Sequence, residues 1–135
     1  MYINGDPDLN DPSNKEEARN YSLGLNRVGV IPDPCTFAYG EVRGGVDCST
    51  VDPRFWFSGD PVTDVGWICN QNQDMRQMTN TGPFILRKNQ ENEIVLAYVV
   101  NRGANPLDGI TKAREVDDGA QNIFDFNLNF TDFFS

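Results

Sequence analysis

The stretch FILRKNQENEIVLAYVV, residues 84–100, carries the strongest secondary-structure pattern in the chain. Its first three residues, Phe84–Leu86, are typical of a short strand, and Asn89–Asn92 are typical of a turn. The run Glu93–Val100 predicts a second strand. Because this run is nearly continuous in apolar residues, we expect it to be buried on both faces. The stretch therefore predicts an antiparallel hairpin.

A helical pattern follows the hairpin. Beyond Gly103 the spacing of apolar residues changes to three and four, which predicts one helix over residues 106–123. Asn105 can cap this helix and Pro106 can open it. The apolar positions are Leu107, Ile110, Ala113, Val116, Ala120 and Ile123. We therefore predict an α+β fold, in which a sandwich-like antiparallel sheet carries this helix.

The remaining segments complete a single predicted domain over residues 1–135. Residues 1–14 are polar and predict a loop, followed by a short helix that Asp11 caps and Gly24 ends. Further short strands are expected at Phe55–Phe57, at Val65–Ile68 and around Phe37–Tyr39. The tail, residues 127–135, is expected to form an edge strand or a loose end.

The composition excludes several classes of function. The chain has 135 residues, a formal net charge of −9 and no histidine. Without imidazole, neither a Ser-His-Asp triad nor a His-ligated metal site can form, which favours a non-catalytic protein. The acidic surface disfavours nucleic acid as a partner. No segment approaches 18 apolar residues, so no membrane insertion is expected.

The three cysteines leave two interpretations open. Cys35, Cys48 and Cys69 contain no C-x-x-C spacing, which excludes a zinc ribbon or a thioredoxin-type motif. In an oxidising compartment one disulfide could form, with Cys35 and Cys48 the favoured pair. The alternative is three unpaired thiols.

The N-terminal loop contains a calcium-like spacing of oxygen ligands. Asp6, Asp8, Asn10, Asn14 and Glu17 occupy positions 1, 3, 5, 9 and 12 of an EF-hand-like loop. Position 6, which needs a glycine for the sharp turn, is occupied by an aspartate instead. The alternatives are therefore a calcium site, with no other cofactor expected, and a capped helix start without metal.

Aromatic and charged residues in the middle of the chain give the candidate ligand-binding positions. Trp56 and Trp67, with their aromatic neighbours, predict either a sugar-stacking platform or core packing. Asp74 and Arg76 predict a salt bridge that fixes a loop or a ligand contact, and Asp60 lies in the turn after the aromatic run. The acidic pair Asp117-Asp118 does not converge on one substrate, because adjacent helical residues point in different directions.

Several strings together resemble a module found inside long secreted proteins of bacteria that use type IX secretion. That module runs roughly F-x-G-D-P-V-T-G-x-G-W, D-R-R, S-S-G-P-F-T-L-A-P-G-D and E-V-V-V-A-I-V-V-G-x-G, followed by a helix that ends A-Q-x-x-Y/F-D. The chain departs from it at Met75 and over residues 87–92. The matching segments span residues 18–126 and are NYSLGL (20–25), FSGDPVT (57–63), GW (66–67), DMR (74–76), TGPFIL (81–86), EIVLAYVV (93–100) and AQNIFD (120–125).

The resemblance implies an extracellular or cell-surface module that is a fragment of a longer protein, with a signal peptide upstream and a sorting domain downstream. No catalytic residues are assigned in that family, so the resemblance implies none here. Together with the missing catalytic residues and the acidic surface, it favours a structural, adhesive or ligand-binding module. The tryptophans and abundant carboxylates give the alternative of a carbohydrate-binding or carboxylate-dependent carbohydrate-active domain, and the N-terminal oxygen ligands give that of a calcium-stabilised domain. The expected partners are a glycan, a surface protein or neighbouring domains of the parent chain. A cytoplasmic location remains the alternative.

Overall fold

The computed structural model describes residues 1–126. The chain divides into two compact units, Met1–Pro83 and the residues from Phe84 onward. The described part of the first unit contains one α-helix and four short strands, and that of the second contains one long helix. The predicted α+β class is confirmed.

The strands of the first unit form two antiparallel sheets of two strands each. Strand β1 (Tyr2–Ile3) pairs with β4 (Met75–Arg76), and β2 (Gly40–Arg43) pairs with β3 (Gly66–Cys69). The predicted strand around residues 65–68 is therefore confirmed as β3. The sandwich-like arrangement is not confirmed among residues 1–126.

An aromatic cluster forms the core beside β2 and β3. The ring centroid of Phe37 lies 5.6 Å from that of Trp67 and 5.4 Å from that of Trp56, and Phe57 lies 5.4 Å from Trp67. Gly40 is required here, because a Cβ at this position would come within 2.6 Å of the Trp67 indole nitrogen. Edge-to-face pairs of this kind add about 1 kcal/mol each to the burial of the rings.

Two strands predicted near this cluster are wrong. Phe55–Phe57 forms turns, and Phe57 has a φ of 55°, which an extended strand cannot contain. The segment Phe37–Tyr39 also forms a turn, closed by the Gly40 N–H donating to the Phe37 carbonyl over 3.3 Å. The aromatic side chains thus enter the core from turns rather than from strands.

The predicted hairpin of residues 84–100 is also wrong. This part of the chain has no regular secondary structure apart from a turn, in which the Gln90 N–H donates to the Arg87 carbonyl over 3.0 Å. The run expected to be buried is exposed, with Tyr98 at 94% of its full accessibility. Strand propensity mainly reflects packing against a neighbouring strand, and no strand pairs with this run among the described residues.

Helix α1 spans Lys15–Ser22, and its N-cap lies three residues later than the predicted cap, Asp11. Asn14 is the N-cap, and its side-chain oxygen accepts from the Glu17 N–H over 3.0 Å. Glu17 in turn accepts from the Ser13 N–H over 2.7 Å. This reciprocal arrangement satisfies two backbone donors at once, much as a capping box does.

Helix α2 spans Pro106–Asp125, which confirms the helix predicted over residues 106–123. Asn105 caps it as predicted, accepting from the Asp108 N–H over 3.0 Å. Within its unit α2 lines a shallow cleft together with Val95–Ala97. No helix among residues 1–126 is long and apolar enough to cross a membrane.

The prediction for the tail, residues 127–135, lies outside the described residues.

Candidate functional site

A concave groove of about 910 Å³ lies within the first unit. We call it the Trp56 groove. One wall comes from the end of α1 and the turn that carries Trp56, and the other comes from β4 and the segment after it. Its lining residues are Met1, Tyr21–Leu25, Arg54–Phe57, Met75–Asn80 and Gly82.

The first wall is fixed at Gly24, just beyond the end of α1. Gly24 has a φ of +77°, and a Cβ there would come within 2.7 Å of the Arg54 carbonyl oxygen. The Gly24 carbonyl also accepts a hydrogen bond of 2.7 Å from the Trp56 indole N–H. Because only glycine allows both the backbone conformation and this close approach, the glycine positions Arg54 and Trp56 at the groove.

The lining of the Trp56 groove is mostly apolar, with two arginines and no carboxylate. Phe55 is 68% exposed, although aromatic rings usually lie inside. The Arg76 guanidinium lies 2.5 Å from an Asp11 oxygen and 3.6 Å from one of Asp74, so its charge is compensated. Arg54 has no ion pair with any of the residues 1–126.

Two of the five candidate ligand-binding residues, Trp56 and Arg76, line this groove. Trp67 does not, because it is 0% exposed and lies in the aromatic core. Of the two alternatives for Trp67, this burial favours core packing over stacking on a sugar. A buried indole has no free face for a ligand, so the core-packing alternative holds for this residue.

The other two candidate residues hold turns and loops. One Asp60 oxygen accepts from the Val62 N–H and the other from the Thr63 hydroxyl, each over 2.9 Å. Asp74 accepts from the Asn4 amide over 3.1 Å and lies beside Arg76. These contacts favour the alternative of a salt bridge that fixes a loop.

Four of the five residues proposed as calcium ligands, all except Asp8, accept side-chain hydrogen bonds from the protein itself. Asp6 accepts from the N–H groups of Asp8 and Leu9 and from the Tyr39 hydroxyl. Asn10 accepts from the N–H groups of Gly5 and Asp11, while Asn14 and Glu17 cap α1. Within residues 1–126 no group of three or more acidic or cysteine side chains is arranged to hold a metal ion.

A calcium ion here would compete for these oxygens with the protein's own N–H and O–H donors. The calcium site stays a prediction, and a melting temperature that is unchanged by EDTA would contradict it.

Two tyrosines anchor the N-terminal loop, and both have raised pKa values. The buried Tyr21 hydroxyl donates to the Asn10 carbonyl over 2.7 Å, and burial raises the pKa of Tyr21 to about 12. The Tyr39 hydroxyl donates to Asp6 over 2.6 Å, and this hydrogen bond raises the pKa of Tyr39. Both phenols are therefore held in their neutral form.

The sulfur atoms resolve the open question about the cysteines. Cys35 and Cys48 form a disulfide, and Cys69 is free. The Cys69 sulfur lies 3.5 Å from the Met75 sulfur, next to β4. The bridge closes a loop that contains Phe37 and β2, and so it holds one side of the aromatic core.

Comparison with protein-family models, with curated proteins and with solved structures finds no match to this chain. The candidate site therefore rests on the geometry of the groove.

Sequence reasoning missed Arg54 and the α1 end of the groove. The available signal was a cation directly before the aromatic run, a position where a guanidinium can lie beside exposed rings.

Proposed function

We propose that this chain is a non-catalytic ligand-binding module of a secreted or cell-surface bacterial protein, and that the Trp56 groove binds the ligand. The observation that carries the proposal is the construction of the groove. Its Trp56 wall is fixed through Gly24, and it presents an exposed aromatic ring and an arginine without an ion pair. Its volume lies within the usual range of small-molecule sites, roughly 300–1,000 Å³.

Two observations support the extracellular part of the proposal. The Cys35–Cys48 disulfide suits an oxidising compartment, because such bonds are rare in the reducing cytosol. The resemblance to modules of type IX-secreted proteins points to the same location. A surface protein or the neighbouring domains of the parent chain are further expected partners.

The absence of histidine supports a binding role, because the commonest proton-transfer group near neutral pH is missing. Turnover of any member of a glycoside and ester substrate panel by the purified protein would contradict this part of the proposal.

A fragment titration followed by ¹H–¹⁵N NMR tests the groove. The chain has two tryptophans, so only two indole N–H signals appear, and that of Trp56 reports on the groove wall. We expect aromatic and aliphatic fragments to shift this signal, and Phe55→Ala to weaken the response. Phe124→Ala, which truncates an exposed ring in the second unit, is the control. A library that leaves the Trp56 signal in place would contradict the proposal.

A carbohydrate is the second candidate ligand, and the exposed ring of Phe55 favours it, since sugars stack on accessible aromatic faces. A glycan array separates the two candidates. Specific glycan binding that is lost in Phe55→Ala and retained in Phe124→Ala would support the carbohydrate. An array that shows no specific binding would contradict a carbohydrate as the ligand.

A further inference from the structure

We infer that the Trp56 groove selects a small ligand with an apolar body and a single carboxylate group, and that Arg54 binds the carboxylate. This inference rests on the proposed function of the groove. It adds the chemical class of the ligand and the residue that recognises its charge.

The local charge of the groove is opposite to that of the chain. The chain has 20 acidic and 11 basic side chains, yet no aspartate or glutamate lines the groove. Arg76 is neutralised by Asp11 and Asp74, which leaves Arg54 as the uncompensated side-chain cation of the lining within residues 1–126, and the terminal amino group of Met1 adds a second positive group. A guanidinium can hold a carboxylate through two parallel hydrogen bonds, so an anionic group on the ligand is complementary to this position.

The backbone holds Arg54 in place before any ligand arrives. Its Cα and carbonyl pack against Gly24, and its N–H donates to an Asp52 oxygen over 3.0 Å. The Arg54 side chain forms no ion pair within residues 1–126, and the residue lines the groove. Such preorganisation lowers the entropy lost on binding.

The remaining lining requires an apolar body on the ligand. Leu23, Leu25, Phe55 and Met78 line the groove, and methionine and aromatic side chains adapt to apolar ligands of varied shape. The net charge of −9 repels anions at long range, so a bare anion such as acetate gains too little from one arginine to bind. Burial of the apolar part supplies the rest of the affinity.

A matched series of three compounds tests the inference: 4-phenylbutyrate, 4-phenylbutanol and 4-phenylbutylamine, which differ only in the terminal group. The readout is the shift of the Trp56 indole signal, with acetate as a fourth compound. We expect the carboxylate to bind at least about tenfold more tightly than the alcohol, because a charge-assisted hydrogen bond contributes about that much affinity. Acetate should produce no shift.

Two variants assign the effect to Arg54. In Arg54→Gln the preference for the carboxylate over the alcohol should fall to about one, with the larger loss of affinity on the carboxylate. Arg54→Lys should keep part of the preference, and it serves as the test if the glutamine variant does not fold. Arg19→Gln, which removes an exposed cation of α1 outside the groove, should behave like the unmodified chain.

The outcomes separate this inference from the proposed function. Equal binding of carboxylate and alcohol, or tighter binding of the amine, would overturn the charge preference while the groove remains a binding site. A carboxylate preference that survives in Arg54→Gln would overturn the role of Arg54. If none of the three aromatic compounds shifts the Trp56 signal, the inference fails together with its premise about the groove.

Discussion

The two units of the chain differ in where their apolar side chains lie. The buried hydrophobic residues among residues 1–126 all belong to the first unit: Ile3, Leu9, Tyr21, Trp67 and Ile68. In the second unit the long apolar run of residues 94–100 is largely exposed. The sequence of the second unit has the more regular pattern, but that of the first builds the core. Apolar content therefore forms a core only where the backbone makes the side chains converge.

The first unit achieves this convergence with turns rather than long strands. At five positions an aspartate oxygen accepts from the N–H two residues further along, at 2.9–3.0 Å. These aspartates are Asp6, Asp33, Asp47, Asp52 and Asp60. Turns of this kind fix the backbone locally. Part of the acidic excess of the chain thus has a structural role, and the Cys35–Cys48 bridge adds a covalent constraint.

Truncation of Trp67 should have the largest effect on the difference in stability between the two units. Trp67→Ala should destabilise the first unit by about 3–5 kcal/mol, because it removes a fully buried ring that packs against the rings of Phe37 and Phe57. The measurement is guanidinium-induced unfolding followed by near-UV circular dichroism. The control is Val116→Ala on α2, whose side chain is exposed, with an expected change below about 1 kcal/mol. Equal losses in the two variants would contradict a core centred on Trp67.

Removing the disulfide should have the next largest effect. Cys35→Ser combined with Cys48→Ser should lower the free energy of unfolding by about 3 kcal/mol, because the bridge spans 13 residues and restricts the unfolded chain. The urea midpoint measures the change. Cys69→Ser is the matched control, since this thiol is free and lies outside the bridged loop. A double variant as stable as the control would show that the turns alone hold the loop.

High pH should weaken the first unit through Tyr21. Its pKa is raised to about 12 from an ordinary value of 10, so the folded protein holds this proton more firmly than the unfolded chain does. The stabilisation is complete below pH 10 and is lost as the pH rises through 12. Partial solvent screening limits it to about 1–2 kcal/mol. Urea midpoints at pH 8 and pH 11 measure the loss.

Tyrosine variants assign this pH dependence. Tyr21→Phe should remove part of the decrease in stability between pH 8 and pH 11. Tyr98→Phe, at an exposed position of the second unit, should leave the decrease unchanged. If both variants respond alike, the buried phenol is not the cause.

Sequence patterns predicted the features whose causes are local. Helix α2 follows from its spacing and from Asn105, and the strand at Gly66–Cys69 follows from a short aromatic and β-branched run. The hairpin predicted over residues 84–100 is wrong. A strand is stabilised by packing against a neighbouring strand, and strand propensity does not encode whether such a neighbour is present. Phe57 entered the core from a left-handed turn, and no periodicity indicates such a conformation.

The candidate site was only partly predictable for the same reason. Trp56 and Arg76 stood out by residue type, but their positions depend on distant parts of the chain. Gly24 meets Arg54, and Arg76 pairs with Asp11, across 30 and 65 positions of sequence respectively. A single sequence does not reveal such pairings. The composition could suggest a ligand-binding aromatic region, but not the charge of its groove.

The N-caps of α1 and α2 allow the same substitution to be compared in the two units, and they give the smallest of the expected effects. Asn14 and Asn105 both use a side-chain oxygen to accept from the N–H three residues later, each over 3.0 Å. Replacing either with alanine leaves that donor unsatisfied and should cost about 1 kcal/mol. If the first unit is held by its core, Asn14→Ala should lower its urea midpoint with little loss of ellipticity at 222 nm. Asn105→Ala should instead reduce that ellipticity directly, because α2 has no buried side chain to hold its first turn. The same response in both variants would mean that the two units do not differ in what stabilises their helices.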